Sequence, residues 1–289
     1  MNGTQRTGTA SSVVGERAAA GRPPSAVRDC LAIDVHGHFG LYPSDPHHPQ
    51  DGQLMTGDVE TVRRRAGSAR TRLTVVSSLT ALLPRGNNDP LKGNVEAAAA
   101  VAPYAELRHW VVVDPLRPDT FRQAAEMLGS PRCAGIKIHP EEHVYPIAQH
   151  GAAIFKFAAE RRAVVITHSG EKNSLPEDFV RFADAYPEVT LILSHLGHGW
   201  DGDRSHQVRA IQASRRGNIY VDTSSIASMI ARLVEWAVAE VGADRILYGT
   251  DSPLYYAPAQ RARIDTAEIS DEAKRKILCE NSERVLRLG

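Results

Sequence analysis

From residue 31 onward the chain alternates short β-branched apolar runs with longer stretches of helical periodicity, and it does so eight times. The runs are Leu31–Val35, Leu73–Ser77, His109–Val113, Gly135–Ile138, Val164–Thr167, Thr190–Ser194, Ile219–Asp222 and Ile246–Tyr248. Each is too short for a helix and apolar on both faces, as a parallel strand covered on both sides must be. Between them apolar residues recur at helical spacing. Phe121, Ala124, Ala125 and Leu128 lead to Gly129; Ile226, Met229, Ile230, Leu233, Val234, Ala237 and Val241 lead to Gly242. Pro176-Glu177-Asp178 has the proline and acidic residues of a helix's first turn. Eight strand–helix repeats within about 260 residues predict a (β/α)8 TIM barrel. The rival, a doubly wound open sheet, wants a Gly-rich phosphate loop after an early strand, and no G-x-G-x-x-G or Walker sequence is present.

No linker-like stretch interrupts the pattern, so residues 29–289 read as one domain. Residues 1–28 are small, polar and lightly basic and read as a disordered tail, with an organelle transit peptide as the alternative; they lack the apolar core of a secretory signal. No run approaches the roughly 18 apolar residues of a membrane span. The 34 basic and 34 acidic residues balance, so no long-range field favours nucleic acid or an anionic membrane, and the expected partner is a small molecule. Cys30, Cys133 and Cys279 lie far apart in sequence and form no C-x-x-C pair. That argues against a disulfide framework or thiolate zinc site and suits a cytoplasmic setting.

In such a barrel the active site lies at the C-terminal ends of the strands, so what each strand ends with is informative. The first ends His36-Gly37-His38, and histidines two apart on a strand project to one side, where both rings converge on one ion. The fourth ends Lys137-Ile138-His139-Pro140, the fifth His168-Ser169-Gly170, the sixth His195-Leu196-Gly197-His198, and the eighth Thr250-Asp251-Ser252-Pro253. A lone histidine after a strand is commonly structural. Five strands ending in His, Lys or Asp is a different matter, because ionisable groups inside a barrel mouth cost several kcal/mol unless paired or coordinated. A metal ion offsets that cost for all of them together.

This ordered set resembles the amidohydrolase superfamily, and most closely the amidohydrolase-related subgroup that contains aminocarboxymuconate-semialdehyde decarboxylase. "GIKIHP", "SHLGH" and "GTDSP" resemble its fourth-, sixth- and eighth-strand signatures, and Glu280-Asn281-Ser282-Glu283-Arg284-Val285-Leu286 resembles its last helix. The resemblance implies one divalent metal, zinc first with manganese or iron as alternatives, held by His36, His38, His168 and Asp251. It implies His195 beside the metal, orienting water or substrate. Asp251 is the expected general base toward a metal-activated water.

Lys137 stands where some superfamily members carry a carboxylated lysine bridging two metals; with the single metal more usual in this subgroup it binds a substrate carboxylate or forms an ion pair. His139, His198 and Arg117 are the remaining expected substrate contacts, Arg117 being equally readable as a surface residue. Asp34 reads as outer support for a ligating ring. His143, His47 and His48 read as solvated loop residues, the last two on a loop able to cover the site. Ser169 has no G-x-S-x-G elbow around it, which disfavours a serine hydrolase. The expected function is a metal-dependent hydrolase cleaving an amide C–N or ester/lactone C–O bond. A non-oxidative decarboxylase or hydratase on the same scaffold is the alternative, and a non-catalytic metal- or ligand-binding barrel the third reading. A homodimer is compatible with all three.

Overall fold

A computed structural model describes residues 27, 29–44 and 46–288. The tail read over residues 1–28 falls outside these, apart from Val27, which is buried. Eight strands form one sheet in chain order: β1 (Ala32–Phe39), β2 (Thr71–Ser78), β3 (Leu107–Val112), β4 (Cys133–Ile138), β5 (Val165–Thr167), β6 (Leu191–Leu193), β7 (Ile219–Asp222) and β8 (Ile246–Leu247). Each pairs in parallel with the next. The sheet closes where β1 meets the chain after β8: Val35 N donates to Tyr248 O (3.0 Å), Asp251 N to His36 O (2.7 Å) and His38 N to Ser252 O (2.6 Å). The eight repeats thus form the barrel they predict, and all eight predicted strands are present.

Helices follow the strands, and their starts show why they begin where they do. Pro90, Pro118 and Pro176 open helices Pro90–Val101, Pro118–Met127 and Pro176–Ala185, positions where a missing N–H removes no helical hydrogen bond. Asp58 caps helix Val59–Ser68 by accepting from Thr61 N at 2.8 Å. Alternation along each strand then sorts the apolar residues into two layers. Ile136, Ile138, Val165, Leu191 and Leu193 face outward onto Ile154, Phe155 and Phe179 of the helices. Ile33, Val35, Leu73, Val75, Trp110, Ile166, Ile192 and Leu247 fill the barrel floor with Val285 and Leu286 of the last helix. Lys137, flanked by two outward isoleucines, points inward.

Strand β1 changes phase halfway. Its register against β2 runs Asp34↔Thr74 and then Gly37↔Val76, three residues on one strand against two on the other. This bulge shifts the alternation by one. Ile33 and Val35 fill the floor before it, and His36 and His38 face the mouth after it. Gly37 is required here: a Cβ would stand 2.9 Å from Thr74 Cγ2 and 3.3 Å from Val76 Cγ1.

The helix predicted from Ile226 to Val241 is broken in two. A 3-10 turn spans Ile226–Met229, Arg232 takes a left-handed φ of 67°, and the α-helix covers only Leu233–Val241. Ser225 caps the short turn through Ala227 N, and Ser228 ties it to Gln260. Ile226 and Ile230 therefore stay exposed, and Ile226 lines the cavity at the mouth. Among the described residues no helix is long and apolar enough to cross a membrane.

Candidate metal centre

The strands' C-terminal ends surround a cavity of about 330 Å³. Its floor carries His36 and His38 of β1, Lys137 of β4, His195 just past β6 and Asp251 just past β8. Leu79, Leu82, Leu83, Ile226 and Leu254 form an apolar wall, and Tyr42 and Tyr255 join them. His195 and Asp251 both take left-handed backbone conformations, φ 72° and 56°, a geometry uncommon away from glycine and concentrated at functional sites.

Three donor atoms converge at the floor. His36 Nε2 and His38 Nε2 are 3.1 Å apart, and Asp251 Oδ1 lies 3.1 Å from His38 Nε2 and 3.6 Å from His36 Nε2. Lys137 Nζ donates toward His36 Nε2 at 3.1 Å. Burial, followed by the Lys137 charge, holds the His36 ring well below the usual histidine pKa, so it is neutral at pH 7. Its Nδ1 faces Asp222 Oδ2 at 3.0 Å, which places the ring proton there and leaves Nε2 a lone pair. Burial raises the Asp251 pKa, but the His38 hydrogen bond and the electrostatics of its surroundings outweigh it, so the carboxyl is held below its ordinary value. Two imidazole nitrogens and a carboxylate oxygen, all buried and mutually close, form a donor set that fits a divalent metal ion.

A layer of hydrogen bonds fixes these rings. Ser77 Oγ is 2.9 Å from His38 Nδ1. Ser224 Oγ contacts His195 Nδ1 at 2.8 Å and His36 Nδ1 at 3.1 Å while donating to Asp222. Asp222 Oδ1 also accepts from His195 N at 3.0 Å. Asp222, not Asp34, is therefore the ring partner of His36. Asp34 accepts instead from the backbone N–H of His36 and of Thr250, each at 3.0 Å, and from Thr250 Oγ1 at 2.6 Å. It bridges β1 to the β8 end, and burial pushes its carboxyl up to about 7.

A second group occupies the rim. His168 lines the same cavity, but its Nε2 is 3.0 Å from Glu171 Oε1, turned away from the three-donor set. His198 Nε2 stands 3.7 Å from the same oxygen. The His168 hydrogen bond, with the His198 ring close by, holds Glu171 well below the usual carboxylate range. The His168 ring stacks on His139 (4.2 Å between centroids, 9° between planes) and meets His195 edge-on at 4.8 Å. His139 accepts from Glu142 N at 3.3 Å, and Arg85 Nη2 bonds Glu142 at 2.9 Å.

Of the expected site residues, His36, His38, Lys137, His139, His168, His195, His198 and Asp251 all line one cavity. Arg117 does not: it is exposed, and its Nη1 donates to Asn88 O at 3.1 Å, because the Asp114 turn directs it onto the neighbouring loop. His143 is buried, not solvated, with Nε2 on Ala81 O at 3.0 Å. Ser77, Ser224 and Glu171 were not singled out in the sequence. Only Glu171 carries a local signal, three residues after His168 in a His-Ser-Gly-Glu loop.

A sequence profile of the amidohydrolase family matches residues 33–288. No curated protein sequence matches the chain. Among solved structures it is similar to 2,6-dihydroxybenzoate decarboxylase from Rhizobium, at 13% identity and a TM-score of 0.70, covering 89% of this chain and 98% of that one. It is similar to 5-carboxyvanillate decarboxylase from Sphingomonas paucimobilis, at 14% identity and 0.69, covering 89% and 99%. A dihydroxybenzoic acid decarboxylase from Polaromonas, solved with manganese and the inhibitor 2-nitroresorcinol, is similar at 14% identity and 0.69, covering 89% and 97%.

Proposed function

This chain belongs to the amidohydrolase family, and from that premise we propose that it is a metal-dependent lyase that removes the carboxyl group of a small organic acid as carbon dioxide. The observation that carries the reading is the buried convergence of His36, His38 and Asp251 beside Lys137. The decarboxylase names of its structural neighbours favour carbon–carbon cleavage over the hydrolysis expected from the motifs. His36, His38 and Asp251 would hold the ion, and His168 would be its fourth ligand on the resemblance alone. Manganese, present in the Polaromonas structure, stands beside zinc and iron as the metal. When bound, the ion supplies a Lewis acid that polarises a substrate oxygen.

The chain's own residues do the rest. Burial lowers the Lys137 pKa to about 8, with Asp222 and Asp251 opposing the shift, so its ammonium persists at neutral pH in the cavity floor. It binds a substrate carboxylate and has a proton to give from Nζ when the carboxyl group leaves. The leucine wall strips water from that carboxylate, which favours the charge-dispersed transition state. His195, held neutral chiefly by burial and oriented through Ser224, fixes the substrate's position.

A hydrolytic reading retains one specific support: Asp251 is ionised and able to accept a proton from water. The test is a panel of small aromatic and aliphatic carboxylic acids, esters and amides offered to metal-loaded enzyme in oxygen-18 water. Carbon dioxide release without oxygen-18 in the organic product supports the lyase. Oxygen-18 in the product acid with no carbon dioxide overturns it in favour of hydrolysis.

A further inference from the structure

The closed end of the barrel, opposite the cavity, carries chemistry of its own. Cys30, just ahead of β1, and Cys279, in the π-helical turn Lys276–Glu280, are 249 residues apart in sequence, yet their sulfurs are 3.2 Å apart. Both are free thiols and half-buried, so a small solute reaches them. We propose that Cys30 and Cys279 form a reversible redox pair, oxidised by a low-molecular-weight disulfide of the glutathione type to an intramolecular bond that clasps the first strand to the terminal helices.

The geometry asks for little movement. A disulfide has an S–S length of about 2.05 Å, so the sulfurs close by roughly 1 Å. Cys30 sits in a turn outside the sheet, its N–H on Val27 O at 3.1 Å, free of any strand ladder that would resist the shift. Chemistry distinguishes the two thiols. The hydrogen bond with Cys279 draws the Cys30 pKa down to about 7, against burial and with help from Arg261 and Arg275. The same contact, with burial, pushes Cys279 up. The Arg261 and Arg275 charges near Cys30 favour it as the attacking thiolate.

The thiolate attacks one sulfur of the small disulfide, that S–S bond breaks, and one thiolate leaves to take up the Cys30 proton from solvent. Cys279 then gives up its proton and attacks the Cys30 sulfur of the mixed disulfide, expelling the second thiol. Two protein thiols are oxidised and one external disulfide is reduced to two thiols, so atoms and electrons balance. Cys133 serves as an internal control, because burial in β4 pushes its pKa up to about 11.

The experiment is incubation of the folded protein with glutathione disulfide, followed by digestion without reduction and mass spectrometry, with Tm read in parallel. The expected result is a joined Cys30–Cys279 peptide pair, two of three thiols lost and recovered with dithiothreitol, and a Tm raised by several degrees. Neither Cys279→Ser nor Cys30→Ser gives the joined peptide pair, and neither shows the rise in Tm. A persistent adduct on Cys30 of the natural chain, three unreacted thiols, or a cross-link with no change in Tm each overturns the proposal.

Discussion

The barrel mouth holds two histidine groups that differ in what fixes them. On the floor, His36 and His38 belong to a strand, and each ring nitrogen directed away from the other ring has its own partner, Asp222 or Ser77. On the rim, His168 and His198 follow their strands, and both turn to one carboxylate, Glu171. The floor group brings two Nε2 atoms and a carboxylate oxygen to a common point, whereas at the rim Glu171 takes up His168 Nε2 and leaves His198 Nε2 without a hydrogen-bond partner. Both places bring two histidines and a carboxylate close together, but the floor trio is fully buried and the rim trio only partly so. What separates them is whether the side chains behind the rings take up the second nitrogen.

Deletion at the floor tests this contrast most severely. His36→Ala is expected to lose the bound metal and to lower kcat/KM by at least on the order of a thousandfold, the several kcal/mol that a Lewis acid contributes. Metal analysis alongside kinetics checks it, and metal bound to His36→Ala with the natural protein's affinity would show that His36 is not a ligand. Next in size is Asp222→Asn, which touches no substrate but unfixes the His36 ring. Metal affinity should weaken by about 10–100-fold, measured by competition with a chromogenic chelator.

At the rim, Glu171→Gln should lower kcat/KM by about tenfold or less, the loss of one charged hydrogen-bond partner, with metal affinity held or improved. Improvement would mean that freeing His168 Nε2 lets it join the floor ligands; a fall as large as that of Asp222→Asn would erase the distinction between the groups.

The smallest effect lies outside the mouth, at His206. Burial disfavours its imidazolium, but hydrogen bonds and charge from Glu177 and Asp201 outweigh burial and raise its pKa above 6.5. A raised histidine pKa stabilises the fold fully below the unfolded value and loses that contribution as pH rises through the folded value. Both carboxylates are partly exposed, so the gain is about 0.5 kcal/mol. His206→Gln should therefore destabilise the protein more at pH 5.5 than at pH 9 in urea titrations. An equal loss at both would show that His206 contributes packing alone.

Much of this was legible in the sequence because barrel strands are short, apolar and regularly spaced. All eight strands could be read, and so could eight of the residues lining the cavity, since a polar residue ending an apolar run has few structural reasons to be there. Arg117, readable equally as a substrate clamp and as a surface residue, lies at the surface, because a loop turn of two or three residues decides which way a side chain faces, and that is not periodic. The helix read through Ile226 failed for a related reason: its 3.6-residue pattern is real, but a serine cap and a left-handed Arg232 divide it. Ser77 and Ser224 had no signal, because their roles arise only when distant strands meet.

The extra residue in β1 makes that strand two ribbons of opposite phase spliced end to end. Its first half packs the floor through Ile33 and Val35 and steadies the second through Asp34, and its second carries the donors above. Deleting a single residue at the splice would turn His36 and His38 toward the helices and leave an otherwise intact barrel with nothing to hold at its centre.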